Sequence, residues 1–408
     1  MWVFYVFASL LVLQAAVSLR GGLRYLAYVR REMAQGDSDF APYASVIAPC
    51  RGLDQGLREN LAALFCQDYP AYEIVFVTNS ASDSAIGVIE EVRREFGARV
   101  RSRVCVAGEA ERCGQKVHNL RAGVGAADAK SEVFVFVDSD ARPREGWLRR
   151  LVAPLADEGV GAATGYRWFL PVRGGFSSTL RAVWNASIAS ALGEQSGRNF
   201  CWGGSTAIRR ATFGRANVLA EWEGAASDDF AMTRALGRAR LPIHFVPACL
   251  TASHEDCDFR ELLEFTTRQL KITRVYAPHL WQVVLFSNLL FVLVFYGGII
   301  LASARAALGL SFAAPLAFVL ALYALGTLKA FLRWRAVRLA LAQLRAGLRR
   351  DALAHLLLWP LASILYLYNA LAALFSRRIE WRGITYELKS PKETVIMGRQ
   401  KVKGKRKR

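Results

Sequence analysis

Residues 133–143 read VFVFVDSDARP: five apolar residues in a row, two aspartates separated by one residue, and then a turn. A run this short, β-branched and aromatic suits a central strand of a parallel sheet covered by helices on both faces. Sheets of that kind bind ligands in the crevice beyond the carboxyl ends of their strands. If the chain is still extended there, a spacing of two sets Asp138 and Asp140 on one face. Two carboxylates held that close repel and need a cation between them. Hard oxygen ligands suit Mg²⁺ or Mn²⁺, ions that commonly share a carboxylate with the phosphates of a substrate. A D-x-D taken alone also fits an ordinary solvated turn, so its neighbours must decide.

Outward from this stretch, strand and helix alternate. ASVIAP (44–49) and EIVFV (73–77) are short apolar strands, and about 100–106 is a third. Helical patterns follow at 57–67, around 84–96 and around 116–127. This alternation predicts a mostly parallel, doubly wound, Rossmann-like α/β sheet with helices on both faces. From 160 to 255 the pattern is mixed: GVGAATGY and CWGGSTAIRR read as extended, and DFAMTRALGRA as helical.

The apolar residues are unevenly spread. Residues 2–19 carry no charge over about the length that spans a bilayer and are followed by RGGLRYLAYVRR. With no small-residue cleavage site, residues 1–22 read as a retained anchor, and the basic residues after it place the next region in the cytoplasm. Two further spans lie within 281–330, at 282–303 and about 311–328. A third C-terminal membrane segment, 353–376, contains Pro360. A full crossing there would put the tail outside, yet residues 376–408 hold 12 Lys/Arg against 3 Glu and end in KGKRKR. The segment is therefore expected to be re-entrant or interfacial, and 377–408 a basic cytoplasmic tail. Residues 331–352 interleave basic and apolar residues at helical spacing, as in a helix lying along the membrane surface.

The net charge of +19 follows the same map. Lys and Arg crowd beside the apolar segments, which suits anionic lipid head groups and not nucleic acid. All seven cysteines fall between the first two spans without a C-x-x-C pair, and read as reduced thiols. Cys249, His254 and Cys257 lack a fourth ligand for zinc.

The polar residues gather at strand ends. Pro49 to Gly52, with Arg51, sit past the first strand, and Asp83 sits past the second. By the strand-end rule they share one crevice with Asp138 and Asp140. Asp83 either caps the helix after it or accepts hydrogen bonds from a nucleotide's base or ribose. Asp228 and Asp229 open a helix, where the helix dipole alone would favour them; beside a metal and phosphates, one of them would serve as a general base. Lys116, Arg268, Lys271 and Arg274 are candidates to meet a departing diphosphate, the last three with the alternative of anchoring a helix at the membrane. Gly203 and Gly204 allow close backbone approach or a tight turn, and Trp202 either lines an acceptor pocket or packs.

In order along the chain, NLAALFCQDYPAYEIVFV, SDSAI, QKVHNL, VDSDA, CWGGSTAIRR, SDDFAMTRAL and RQLKITR resemble a family 2 type membrane glycosyltransferase of the GT-A fold. The likeness is to ceramide glucosyltransferases and to the bacterial enzymes that glycosylate hopanoids and other membrane lipids. It runs from about 44 to 275, and implies a GT-A catalytic domain over 40–260 followed by an interfacial helix, 261–280, that leads directly into a span. It implies a nucleotide-sugar donor, in particular a UDP-sugar, a membrane lipid acceptor, Mg²⁺ or Mn²⁺, and inverting transfer at the cell inner membrane. By the resemblance Asp83, Asp138, Arg268 and Lys271 would bind the donor, with Asp138 and Asp140 on the metal, and the strand-end residues Pro49 and Arg51 and the basic Lys116 would join them. Asp229 would be the catalytic base, and Trp202, Gly203, Gly204 and Asp228 would face the acceptor. Lys271 and Ile272 depart from the family's R-x-x-R-W element, replacing a planar fork with a point charge. Two rivals remain: a processive polysaccharide synthase, which would bring more spans, and a non-catalytic scaffold, which would not need all four aspartates.

Overall fold

The structure is a computed structural model that describes residues 2–36 and 38–399. Helix α1 (Trp2–Met33) is followed by β1 (Ala44–Pro49), α2 (Leu57–Phe65), β2 (Tyr72–Thr78), α3 (Ala85–Phe96), β3 (Arg101–Val106), α4 (Gln115–Ala126) and β4 (Val133–Phe136). Then come α5 (Trp147–Val152), β5 (Ala162–Phe169), α6 (Phe176–Ala189), β6 (Thr206–Arg209), α7 (Arg210–Arg215), α8 (Val218–Trp222), α9 (Asp228–Arg238) and β7 (Ile243–Ser253). Five helices follow within the apolar part: α10 (Phe259–Tyr276), α11 (Pro278–Ala307), α12 (Ala313–Ala340), α13 (Arg345–Arg350) and α14 (Ala352–Leu357). The described chain closes with α15 (Trp359–Phe375), β8 (Arg378–Trp381), β9 (Ile384–Ser390) and β10 (Glu393–Arg399).

Two compact units share this chain: Glu32–Phe169, Ala191–Glu255 and Arg377–Arg408 form one, and Met1–Arg31, Leu170–Ser190 and Asp256–Ser376 the other. The first is built on a seven-stranded sheet of order β3-β2-β1-β4-β6-β5-β7. All neighbours pair in parallel except those of β6, which runs against β4 and β5. This is the mostly parallel α/β sheet that the sequence predicts. From β1 the chain winds outward through β2 to β3, then returns to β4 on the other side of β1. The switch point, and hence the crevice, lies where β1 and β4 end.

Every residue of β1, β2 and β4 is buried, as their largely apolar runs require. Helix α4 covers β1 and β2 closely. A Cβ on Gly123 would stand 2.6 Å from Ile47 Cγ2 and 2.9 Å from Val77 Cγ2, so the helix seats there because that residue has no side chain.

As far as Arg399 the expected basic tail is structured. Strands β8, β9 and β10 form a three-stranded antiparallel sheet whose inward positions Ile384, Tyr386 and Leu388 are buried at alternate residues. The KGKRKR terminus lies outside the described residues.

In the helical unit, Ala8 and Leu11 of α1 pack with Val294 and Phe295 of α11 and Val319 and Leu322 of α12. A second cluster joins Trp184, Leu262, Leu270, Trp281, Leu365 and Ala370, with the Trp184 and Tyr366 rings stacked at 4.8 Å. Among the described residues three helices are long and apolar enough to cross a membrane: Trp2–Met33, Pro278–Ala307 and Ala313–Ala340. The surface helix expected over 331–352 is not one element. Helix α12 runs on through residue 340, because nothing in 331–340 breaks it, and α13 follows after a short 3₁₀ turn. At Leu358 the chain breaks between α14 and α15, with Pro360 in the first turn of α15, where its missing N–H costs nothing. That helix has 17 residues, about 25 Å at 1.5 Å per residue and short of the roughly 30 Å hydrocarbon core.

Candidate active site

The site is assembled at the carboxyl ends of β1, β2 and β4. Beyond β4, Asp138 and Asp140 do not lie on an extended strand as the spacing argument supposed. The strand ends at Phe136, and Ala141 N–H closes a turn on the Asp138 carbonyl at 3.0 Å. What brings the two carboxylates together is Arg167 of β5. Its Nη2 donates to both Asp140 oxygens at 3.1 and 3.3 Å and lies 3.5 Å from Asp138 Oδ2.

Lys116, in the first turn of α4, lies on the other side of Asp138. Its Nζ stands 2.6 Å from Asp138 Oδ1 and 3.1 Å from Asp228 Oδ2. The contact requires Gly203, where a Cβ would overlap the Asp228 carboxylate and lie 2.6 Å from Lys116 Nζ. Burial works against the charge on Lys116, but Asp138, Asp228 and Asp229 outweigh it and hold the ammonium protonated. For Asp228 burial wins: with help from Asp229 and Asp138, and against Lys116, its carboxyl is pushed up to about 6. Burial also raises Asp140, yet Arg167, Arg382 and Lys116 together keep it below its ordinary value.

The two acids that open α9 differ. Asp228 is buried against Lys116. Asp229 is half-buried, and one of its oxygens accepts from the Ser227 hydroxyl and, at 2.8 Å, from Phe230 N–H. Asp83 does more than cap: its Oδ1 accepts from Ala85 N at 2.9 Å and from Gly52 N at 2.8 Å, tying the β2 loop to the β1 loop. In that second loop Pro49 ends β1, and one guanidinium nitrogen of Arg51 is buried without an acceptor.

Trp202 is a wall of the site's base, its ring 5.6 Å from Tyr166 and 5.1 Å below the Arg167 guanidinium. Gly204 leaves room for the same ring. Arg268 and Lys271 belong to α10 of the helical unit, where Arg268 lies over Phe265 at 5.6 Å. The structure thus groups Lys116, Asp138, Asp140, Gly203 and Asp228, and links Arg51 and Asp83 through one loop.

Three members of the cluster were missed in the sequence. Arg167 sits in the otherwise apolar run GYRWF, and a lone charge inside a buried strand was the available signal. Asp54 accepts from Ser139 Oγ at 2.6 Å and from Arg382 Nη2 at 2.8 and 3.0 Å. Arg382 was counted with the tail.

Among the described residues no group of three or more His, Cys, Asp or Glu is arranged to hold a metal. Asp138 and Asp140 alone offer a pair of hard oxygen donors, which fits an ion that takes its remaining ligands from water and phosphate.

The family model of glycosyl transferase family 21 matches residues 10–394. Ceramide glucosyltransferase 3 of Caenorhabditis elegans is 30% identical over 98 residues, 24% of this chain and 21% of that protein. Glycosyltransferase AglE of Haloferax volcanii is 25% identical over 136 residues, 33% of this chain and 42% of that one. Ceramide glucosyltransferase of Komagataella phaffii is 30% identical over 116 residues, 27% and 22% of the two chains. The chain thus spans less than half of the length of each of these relatives. Among solved structures, mannosyltransferase PcManGT from Pyrobaculum calidifontis, in complex with GDP-Man and Mn²⁺, aligns with a TM-score of 0.44 and 16% identity over 90% of this chain and 99% of that one.

Proposed function

The chain belongs to glycosyl transferase family 21, and on that premise we propose that it is an inverting glycosyltransferase, moving a sugar from a UDP-linked donor to a hydroxyl of a ceramide-, hopanoid- or glycerolipid-like membrane lipid. The observation that carries this reading is the meeting of Asp138, Asp140 and Asp228 with Lys116 and Arg167 at the switch point of the sheet. Among the described residues three helices are long and apolar enough to cross a bilayer.

Asp83 and the Pro49–Arg51 loop would hold the nucleotide, and Lys116 would lie near the diphosphate as it leaves. Arg268 and Lys271 are carried in this proposal by the family resemblance. Asp138 and Asp140 would hold Mg²⁺ or Mn²⁺, which when bound supplies positive charge to the diphosphate. For the base, accessibility decides between the two acids of α9. Asp228 is buried and paired with Lys116, whereas Asp229 is half-open and kept in place by Ser227. Asp229 would take the proton of the acceptor hydroxyl while the oxygen of that hydroxyl bonds to the anomeric carbon. The bond from that carbon to the diphosphate breaks on the opposite face, which inverts the centre. Gly203, Gly204, Trp202 and Asp228 would border the acceptor.

The basic stretches beside the apolar helices would meet anionic lipid head groups and keep the sheet unit in the cytoplasm, as a multi-pass protein of the cell inner membrane. The test is release of UDP by the purified, detergent-solubilised protein with Mn²⁺ or Mg²⁺, with and without a lipid extract. Release that depends on lipid, with one sugar added per lipid, supports the reading. No release from any UDP-sugar overturns it, and long polymer would assign a synthase.

A further inference from the structure

We infer that Arg382, on the turn between β8 and β9, is a donor-binding residue that together with Arg51 holds the diphosphate of the nucleotide. The inference rests on the nucleotide-sugar reading above and assigns to the C-terminal sheet a part in the site.

The turn itself gives the first argument. Trp381 pairs with Ile384, so Arg382 and Gly383 form a two-residue loop, with φ of 49° and 74°. Two-residue turns with both φ positive favour Asn-Gly or Asp-Gly, and a long side chain at the first position is unfavourable. Strain of this sort persists where the surroundings enforce it, and it gathers at functional sites.

Second, the strained residue reaches into the site. Arg382 donates to the Arg51 carbonyl and, through Nη2, to both oxygens of Asp54. Asp54 accepts in turn from Ser139, the residue between Asp138 and Asp140. A cation has thus been delivered from the far end of the chain to the turn that carries the metal-binding pair.

Arg51 supplies the third argument. One of its guanidinium nitrogens is buried and makes no hydrogen bond, an expensive state for a charged donor. Asp83, Tyr386 and Arg382 are its electrostatic neighbours. A diphosphate oxygen placed there would satisfy the orphan donor and balance two guanidiniums, whose planar forks suit phosphate.

The hairpin is held firmly enough to aim its tip. The Tyr386 hydroxyl accepts from Gln115 N–H at 3.2 Å, and Thr394 Oγ1 donates to the Gly224 carbonyl at 2.7 Å. Lys392 pairs with Glu221 at 3.0 Å, and Arg399 with Glu109. Gly224, at φ 71°, has no room for a Cβ because the Lys392 carbonyl occupies that space.

The experiment compares UDP with uridine, which lacks the diphosphate, by calorimetric titration of the full-length protein with Mn²⁺ present. Arg382→Asn suits the left-handed turn better than arginine does, which offsets the lost Asp54 pair, so the variant should still fold with one cooperative melting transition. It should weaken UDP binding at least about tenfold, the size of one charged contact, and leave uridine binding unchanged. Arg382→Lys, which keeps the charge and loses the fork, should fall between. Unaltered UDP affinity in both variants, or equal losses for UDP and uridine, would overturn the assignment and leave the transferase reading intact. A wild-type protein that binds neither UDP nor GDP would bring down both.

Discussion

Asp228 and Asp229 are neighbours with opposite surroundings, and the difference can be measured. If Asp229 is the base, Asp229→Asn should lower kcat by at least about a hundredfold, the ordinary worth of general-base catalysis, with the affinity for UDP unchanged. Asp228→Asn leaves Lys116 only Asp138 as a close partner, so it should weaken donor binding as well. A variant of Asp229 with near-normal turnover would remove it as the base.

Asp228 and Asp140 together set a pH test of stability. Because the folded protein raises the Asp228 carboxyl to about 6, above its unfolded value of about 3.9, it binds that proton more tightly than the unfolded chain does. The stabilisation is complete below the unfolded pKa and is lost as pH rises through the folded one. Asp140 is shifted the other way, so its contribution is present at neutral pH and lost as pH falls below the usual carboxylate range. The melting-temperature penalty of Asp228→Asn should therefore shrink between about pH 4 and pH 7, while that of Asp140→Asn should hold across that range and shrink only as pH falls below about 4. Parallel, pH-independent penalties would show that neither shift is real. These residues were legible in the sequence because each stands in a short motif at a strand end or helix start. The roles of Arg167 and Arg382 were not, since their partners are 27 and 328 residues away and no local pattern, not even a lone charge in an apolar strand, names a counter-ion that distant.

Elements were legible where a period was unambiguous. The apolar runs of β1, β2 and β4, buried on both faces, and the helices between them stand close to where the sequence puts them. The sheet of β8 to β10 also carried a signal, the alternation Ile384, Tyr386, Leu388 beside an Arg-Gly turn. The surrounding Lys and Arg hid it, because a charge count over a whole tail averages out a period of two. Packing between helices was hardly legible at all. Gly326 of α12 shows why: a Cβ there would overlap the Trp359 ring, whose Nε1 donates to Thr327 Oγ1 at 3.3 Å. Nothing in 311–328 singles out that glycine. Gly326→Ala should cost about 1–3 kcal/mol by overpacking, and Trp359→Leu should relieve it. In thermal unfolding in detergent the two changes should couple by at least about 0.5 kcal/mol; simple additivity would show that the ring moves aside freely.

At the scale of the molecule, the two-unit division answers the charge problem posed by the fourth apolar segment. Residues 32–169 and the segment from Arg377 onward belong to one compact unit built around a sheet whose crevice is lined by charge. Both must then lie on one side of the membrane, so the chain between them crosses an even number of times. Helices α11 and α12, each long and apolar enough to cross, would provide two crossings. Helix α15, too short to span and interrupted on its N-terminal side at Leu358, would then complete none. With α1 as a further crossing, the N-terminus and the α11–α12 loop should share the side opposite to the sheet unit. Single cysteines introduced in a background lacking the native ones would read this directly. Ser311→Cys, between α11 and α12, should react with an impermeant maleimide added outside intact cells. Ser390→Cys, at the end of β9, should react only after the cells are opened. Labelling of Ser390→Cys from outside would mean that α15 crosses, and that residues 377–399 could not fold against a sheet left on the other side.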